Sequence, residues 1–193
     1  MIYQSKIEKE EIGKMPMCSI SGKIIVIDST AGIDCAISVL RQAGTIGFDT
    51  ETRPSFVKGV LYKVSLLQLA TPTTCYLFRL QMIGKNENLK ALLEDPSVTK
   101  IGLSTHDDSR SLQRWMPCHP AGFVELQKYV KPFGIEEMSL QKIYAIVFGE
   151  HISKAQQLSN WEINPLSPAQ QQYAAIDAWA CLKIYKHLRK QIE

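Results

Sequence analysis

Two acidic residues end an apolar run in the first third of the chain. Residues 45–51 (TIGFDTE) have the pattern of a β-strand that finishes in Asp49 and Glu51. Side chains alternate along a strand, so the two carboxylates point to one face, about 7 Å apart along the chain. Adjacent carboxylates repel each other unless a proton or a cation lies between them, and such hard oxygen ligands suit Mg²⁺ or Mn²⁺. The alternative is a pair of solvated acids before the turn at Pro54.

A second acid accompanies a phenol near the C-terminus. Ser167-Pro168-Ala169-Gln170 predicts the start of a helix, with a Ser N-cap, Pro at the first helical position and Gln placed to close a capping box. Tyr173 and Asp177 then stand at i and i+4, so their side chains lie on one face of that helix. The alternative for Asp177 is a structural acid that is capped or paired.

A third acid follows a short predicted strand at residues 100–103. In Ser104-Thr105-His106-Asp107-Asp108, the last residue stands four positions before Leu112 and so faces inward on the next helix. Asp107 points about 100° away and suits a first-turn charge that stabilises the helix dipole. Asp108 is therefore the better candidate for a metal ligand.

These residues together resemble a known set of motifs. Asp49-x-Glu51, Asp108 at a strand-to-helix turn and Tyr173-x-x-x-Asp177 are similar to the three exonuclease motifs of the DEDD superfamily in its tyrosine form, the ribonuclease D-like 3'→5' exonucleases. Segments 63–69, 75–78, 159–161 and 173–178 are most similar to the exonuclease domains of the Werner type. The resemblance runs from about Ile24 to the C-terminus. His106-Asp107 fill variable positions and Trp179 replaces the commoner Tyr, and neither departure removes a ligand.

The resemblance implies a two-metal hydrolase. Asp49 would bridge two Mg²⁺ or Mn²⁺ ions, Glu51 and Asp177 would complete one site, and Asp108 would hold the other ion through water. Tyr173, with a reference pKa of about 10, is better suited to orienting the attacking water than to acting as a free base. The implied substrate is a nucleic acid with a free 3' end. DNA is favoured by the Werner-type segments, and trimming of RNA is the alternative.

Two other function classes stay open at this point. One is a nucleic-acid-binding module without catalysis, and the other is a metal-dependent phosphatase for small substrates. Trp161 could stack on a base or lie in the core. The basic residues that could contact phosphates, or could be ordinary solvated charges, flank the motifs: Arg53, Lys58, Lys63, Arg110, Arg114 and Lys154.

The elements that must position these residues follow from periodicity and turn residues. Strands are predicted at 23–27, 45–51, 64–69, 75–78, 100–103 and 123–126, with a hairpin across 71–74. Helices are predicted around 33–40, 89–93, from 108, over 140–148 and from 168. This order predicts a three-layer α/β domain with a mixed central sheet, in agreement with the α/β/α ribonuclease H-like fold that the resemblance implies.

Composition sets the remaining bounds. The 193 residues, 45% of them hydrophobic, suffice for one sizeable core. We expect an N-terminal arm over residues 1–22, flexible or peripheral with a short helix at best, and an exonuclease domain over 23–193.

The net charge of +3 is mild, so attraction to nucleic acid must be local. Five cysteines without C-x-x-C spacing favour neither a disulfide framework nor a zinc site, and indicate a reducing cytoplasm. No run of apolar residues suggests membrane insertion.

Overall fold

A computed structural model describes residues 2–19 and 22–192 of the chain. These residues form a six-stranded sheet with helices on both faces. The strands are β1 (Lys23–Ile27), β2 (Thr45–Thr52), β3 (Val64–Ala70), β4 (Thr74–Arg79), β5 (Thr99–Gly102) and β6 (Phe123–Glu125). The helices are α1 (Lys9–Ile12), α2 (Ile33–Ala43), α3 (Leu80–Ile83), α4 (Glu87–Glu94), α5 (Thr105–Trp115), α6 (Leu126–Tyr129), α7 (Leu140–Phe148) and α8 (Pro168–Arg189).

The sheet is mixed, as predicted, with the order β1-β4-β3-β2-β5-β6. Strand β3 is antiparallel to both of its neighbours, β2 and β4, whereas β2, β5 and β6 are parallel to one another. Parallel strands end at the same edge of a sheet, so the C-terminal ends of β2 and β5 lie close together. At this edge, Glu51 lies near the end of β2, and the turn at Ser104 follows the end of β5.

Two apolar layers cover the faces of the sheet and give the predicted three-layer architecture. On one face, α2, α4 and α5 pack against residues such as Ile46, Phe48 and Leu69. On the other face, the long helix α8 crosses β2, β3 and β4, with Ala174 and Ala178 packed against Leu66. The helix thus brings its polar residues to the same face as alternate residues of β2.

The predicted strands and the five longer helices are confirmed, with end points that differ by a few residues. Helix α8 begins at Pro168, where its capping box forms on both sides: the Gln170 N–H donates to the Ser167 hydroxyl at 3.2 Å, and the Ser167 N–H donates to the Gln170 side chain at 3.0 Å. The four-residue helices α3 and α6 were not predicted, because so short a helix shows no apolar periodicity.

The N-terminal segment lies at the periphery but is packed rather than loose. It contains the expected short helix, α1, and buries Ile7 and Ile12 against Ala145 of α7. The Tyr3 N–H donates to the Phe133 carbonyl at 2.9 Å, which ties the segment to the main body. These contacts pack parts of residues 2–19 on the main body at its periphery. The predicted end of the arm at residue 22 follows positions 20 and 21, which lie outside the described residues.

Two further observations bear on the expectations from composition. All five cysteines are free thiols, and four of them are buried. Within 2–19 and 22–192, no helix has both the length and the apolar character needed to cross a membrane.

Candidate active site

Three acids from two elements converge on the α8 face of the sheet. Asp49 and Glu51 project from β2, and Asp177 projects from α8. One carboxylate oxygen from each lies within 4.8 Å of the other two, and all three side chains are half-buried. Among the described residues, this is the single group of three or more His, Cys, Asp or Glu side chains with such spacing.

A glycine in β2 makes this convergence possible. A Cβ built on Gly47 would lie 1.9 Å from the carbonyl oxygen of Ala178 and 2.8 Å from its carbonyl carbon. Any side chain at this position would therefore collide with the α8 backbone. The small residues Ala174 and Ala178 on the facing side of α8 are fully buried. The close approach of helix and strand places Asp177 beside Asp49, which alternates onto the same face as Gly47.

The fourth acid, Asp108, comes from the opposite side of β2 and is held differently. It lies in the first turn of α5, and its Oδ1 accepts a 2.6 Å hydrogen bond from the Thr50 hydroxyl. It does not belong to the group of acids within 4.8 Å, but its charge raises the pKa values of Asp49 and Glu51. Asp107 is exposed, as the helical register predicts, whereas Asp108 is half-buried.

A glutamate on the neighbouring strand fixes the turn that carries Asp108. Ser104 adopts a left-handed conformation with φ of 59°, which L residues other than glycine rarely take. The Glu125 carboxylate accepts hydrogen bonds from the Ser104 N–H at 3.0 Å and from the Thr105 N–H at 2.8 Å. It also accepts one from the Thr105 hydroxyl at 3.1 Å. These bonds satisfy free N–H groups at the start of α5 and define the direction of the helix.

The electrostatics of the acid cluster favour a bound cation. Burial, followed by repulsion from Asp177 and Asp108, raises the pKa of Glu51 to about 9. Burial and the same neighbours also raise the pKa of Asp49. Burial raises the pKa of Asp177 to about 7, against the opposing effects of the Tyr173 hydroxyl and of Lys154. Closely spaced carboxylates that resist ionisation are stabilised by positive charge, and an all-oxygen donor set fits Mg²⁺ or Mn²⁺.

Tyr173 lies against the cluster as a neutral hydrogen-bond donor. Its hydroxyl lies near the Asp177 carboxylate, one helical turn further along α8, and the interaction between the two lowers the pKa of Asp177. Burial and the negative charge of Asp177 raise the pKa of the phenol above its ordinary value of 10. The hydroxyl therefore stays protonated at neutral pH and can donate or relay a hydrogen bond, but it cannot serve as a base.

The buried ring of Trp161 packs against the Tyr173 ring and is not available for stacking on a base. Its ring centroid lies 5.9 Å from that of Tyr173, with an angle of 33° between the planes, and its side chain is fully buried at 0% exposure. Of the two roles that the sequence allowed, the stacking role is wrong, because the ring packs in the core beneath α8 with Leu66 and Leu166.

A cleft of about 320 Å³ leads to the acids. Asp49, Tyr173 and Asp177 form part of its wall, and Lys154 and Gln157 also line it. Among the basic candidates, Lys154 is thus placed to meet an anionic group. Arg53 instead pairs with Glu162 at 3.2 Å and covers the Tyr62 ring at 4.8 Å, so it serves the local fold.

Sequence reasoning missed three polar residues around the site: Thr50, Glu125 and Gln68. Thr50 and Glu125 act across 58 and 20 residues of chain, respectively, and no local pattern signals such bonds. Gln68 could have been identified from the sequence, because it is the one amide in the otherwise largely apolar strand β3, where every residue is buried.

Comparison with known proteins finds relatives among exonucleases. A family model described as 3'-5' exonuclease matches residues 24–193. The sequence is 32% identical over 186 residues to the mouse protein "Bifunctional 3'-5' exonuclease/ATP-dependent helicase WRN", with 90% of this chain and 13% of that protein covered. It is 28% identical over 174 residues to Ribonuclease D of Gluconacetobacter diazotrophicus, with 88% of this chain and 43% of that protein covered.

The structural comparison agrees with these sequence matches. The crystal structure of the Aedes aegypti Nibbler EXO domain has a TM-score of 0.77 and 26% identity, and 88% of each chain is covered. This likeness confirms the predicted ribonuclease H-like architecture. The chain spans less than half of the length of each of these two curated relatives.

Proposed function

The chain belongs to the 3'-5' exonuclease family, and on that premise we propose that it is a metal-dependent enzyme that removes nucleotides from the 3' end of a nucleic acid strand. The observation that carries the proposal is the convergence of Asp49, Glu51 and Asp177 from β2 and α8, with Asp108 presented from α5. A fold that forces several carboxylates together against their repulsion gains from cations that offset the charge.

In this proposal, the four acids hold two Mg²⁺ or Mn²⁺ ions. Asp49 would be the ligand shared by the ions, Glu51 and Asp177 would complete one site, and Asp108 would contribute to the other. Two such ions supply an activated water and stabilise charge on the attacking and leaving oxygens of the phosphodiester. The protein's part is to fix these carboxylates, and the hydrogen bond from Thr50 to Asp108 and the position of Tyr173 beside Asp177 support that role.

Tyr173 is proposed to orient the attacking water. Its raised pKa keeps the hydroxyl protonated, and its position in the cleft wall gives it access to a water beside Asp177. Trp161 packs against the phenol ring and limits its motion, so the hydroxyl is held in one direction. Such preorganisation lowers the cost of aligning the water at the moment of reaction.

The surroundings of the cleft support a single strand as substrate. Lys154 can contact a phosphate at the cleft wall. The loop between β2 and β3 begins directly after the acids and exposes Phe56 and Leu61, which are 82% and 83% accessible. The aromatic ring of Phe56 can stack on a base face, which a single strand exposes and a duplex hides. With few cations near the acids, phosphate contacts should be few and binding weak and sensitive to salt.

We propose DNA as the preferred substrate, with RNA as the competing choice. The resemblance of segments 63–69 and 159–161 to the Werner type supports DNA, and identity to the mouse exonuclease/helicase (32%) exceeds identity to the bacterial Ribonuclease D (28%). Similarity to a Ribonuclease D is the observation that favours RNA. The two differ at the 2'-hydroxyl, so matched DNA and RNA strands of one sequence distinguish them.

The experiment follows the products from labelled strands in Mg²⁺ or Mn²⁺. We expect a 5'-labelled strand to shorten by single nucleotides and a 3'-labelled strand to release its label at once as a mononucleotide. A blocked 3' end should stop the reaction, and a circular single strand should persist. Cleavage of the circle, or faster trimming of RNA than of matched DNA, would contradict the assigned polarity or substrate.

A binding measurement in chelator separates the other function classes. A non-catalytic module would bind strands but release no nucleotides when Mn²⁺ is added. A phosphatase would hydrolyse small phosphate monoesters in preference to strands. The proposed enzyme should bind strands in chelator and degrade them when Mn²⁺ is restored.

A further inference from the structure

Gln68 is a buried amide without a hydrogen-bond partner. It lies in the middle of β3, is 0% exposed, and neither its Nε2 nor its Oε1 meets a partner among the described residues. An unpaired buried amide destabilises a fold, and the great majority of buried polar groups in proteins are paired. An apolar side chain of the same size would fit this strand at lower cost, so the amide calls for a reason other than stability.

The position of Gln68 in the sheet supplies that reason. It is the direct cross-strand neighbour of Asp49, and the flanking pairs are Leu66 with Glu51 and Ala70 with Gly47. Direct neighbours on antiparallel strands project from the same face, with Cβ atoms about 4.5–5.5 Å apart. Gly47 marks this face as the one covered by α8, so the amide lies beside the acid cluster.

A neutral donor suits this position better than any charged one. A carboxylate that shares cations directs some of its lone pairs to them and leaves others that need a hydrogen bond to fix its orientation. A lysine or arginine would neutralise the acids and compete with the cations, whereas an amide N–H adds no charge. The other strand neighbour of Gln68 is Leu77, which offers no polar partner.

We propose that Gln68 is a positioning residue for the metal site: when cations are bound, its amide donates to the Asp49 carboxylate and fixes it in the orientation that binds them. The inference rests on the proposed function, since it assigns to Asp49 the role of a shared ligand. It accounts for an amide kept in the core at a cost to stability. In other proteins, residues that hydrogen-bond to a metal ligand contribute about 10–100-fold to metal affinity or activity.

The test replaces Gln68 by Met, which matches it in length and has no hydrogen-bond donor. In chelator, the thermal unfolding midpoint of Gln68→Met should equal or exceed that of the wild-type protein, because the unpaired amide is gone. Mn²⁺ affinity, measured by calorimetry, should fall by about 10–100-fold. At saturating Mn²⁺, kcat on a single strand should fall while KM for the strand stays the same.

A matched control is Leu77→Met, a change of similar size on the same face, one strand further from Asp49. It should keep wild-type Mn²⁺ affinity and kcat. Gln68→Met with affinity and kcat within twofold of the wild-type values would overturn the inference and leave Gln68 as an unpaired core residue. Failure of the wild-type protein itself to bind Mn²⁺ would overturn the proposed function and this inference with it.

A second measurement does not depend on the variant's folding. A crystal structure of the wild-type protein with Mn²⁺ should show Gln68 Nε2 within about 3.2 Å of an Asp49 carboxylate oxygen. A separation above about 4 Å, with Mn²⁺ bound to Asp49, would contradict the positioning role.

Discussion

Replacing Gly47 by Ala should damage the site through the backbone without touching any acid. The added Cβ would lie 1.9 Å from the Ala178 carbonyl oxygen, whereas ordinary contacts begin at about 3.4 Å. Strand and helix must therefore separate by about 1.5 Å, and neither partner is a flexible side chain that could move aside. Because Asp177 precedes Ala178 directly, this displacement carries its carboxylate away from Asp49 and Glu51.

The expected effect of Gly47→Ala is larger on function than on stability. Overpacking of this kind costs about 1–3 kcal/mol, or roughly 2–4 °C in Tm for each kcal/mol in a domain of this size. A misplacement of about 1 Å among reacting groups can lower the rate about 10²-fold. Tm, Mn²⁺ affinity by calorimetry, and single-turnover cleavage of a 5'-labelled strand measure the three quantities.

The matched control is Gly13→Ala. Gly13 has a right-handed conformation with φ of −62°, and an added Cβ would meet its nearest atom at 3.5 Å. This variant should keep full activity and gain slightly in stability, because Ala restricts the unfolded chain. Gly47→Ala with wild-type Tm and wild-type turnover would refute the argument that close approach of α8 assembles the acids.

Three further predictions concern the acids and the phenol. Asp108→Asn should reduce cleavage at least about 10²-fold, because Asn can still accept the Thr50 hydroxyl but lacks the negative charge that holds a cation, whereas Asp107→Asn, at an exposed position, should keep most of the activity. The reverse result in a turnover assay would contradict the inward placement of Asp108. Tyr173→Phe should keep Mn²⁺ and strand binding but slow the chemical step, because it removes only the hydroxyl, and loss of binding in a titration would indicate a packing role instead. In chelator, Tm should fall as pH rises from about 5 to 8. The reason is that the pKa of Glu51 is raised to about 9 in the folded protein, so the folded protein binds more protons than the unfolded chain over this range. Glu51→Gln should weaken this pH dependence, and a Tm that rises over the same range would contradict the prediction.

Most of the fold was predictable because its elements carry local signals. The capping box at Ser167 and Gln170 marked the start of α8, and the apolar run before Asp49 marked β2. These two elements hold three of the four acids, so the i, i+4 and alternating patterns already predicted which side chains share a face. The exposed position of Asp107 likewise followed from the helical register.

The features that could not be predicted from the sequence depend on contacts between distant segments of the chain. Residues 2–19 show no periodicity, and Ile7 is buried because it meets Ala145, more than 130 positions away in the chain. Trp161 could have stacked on a base or packed in the core, and only the packing beneath α8 distinguishes the two. The support that Glu125 gives to the Ser104 turn also crosses between strands, so no spacing in the sequence indicates it.

The most direct test of the account is the number of Mn²⁺ ions bound by the wild-type protein and by Asp49→Ala, with strand cleavage measured on the same samples. The wild-type protein should bind two ions for each chain and lose cleavage in chelator. Asp49→Ala should lose affinity for both ions and at least about 10²-fold in rate, which corresponds to about 2.7 kcal/mol of transition-state stabilisation. Full cleavage in chelator, or an Asp49→Ala protein that cleaves at the wild-type rate, would contradict the claim that these acids form the catalytic metal site.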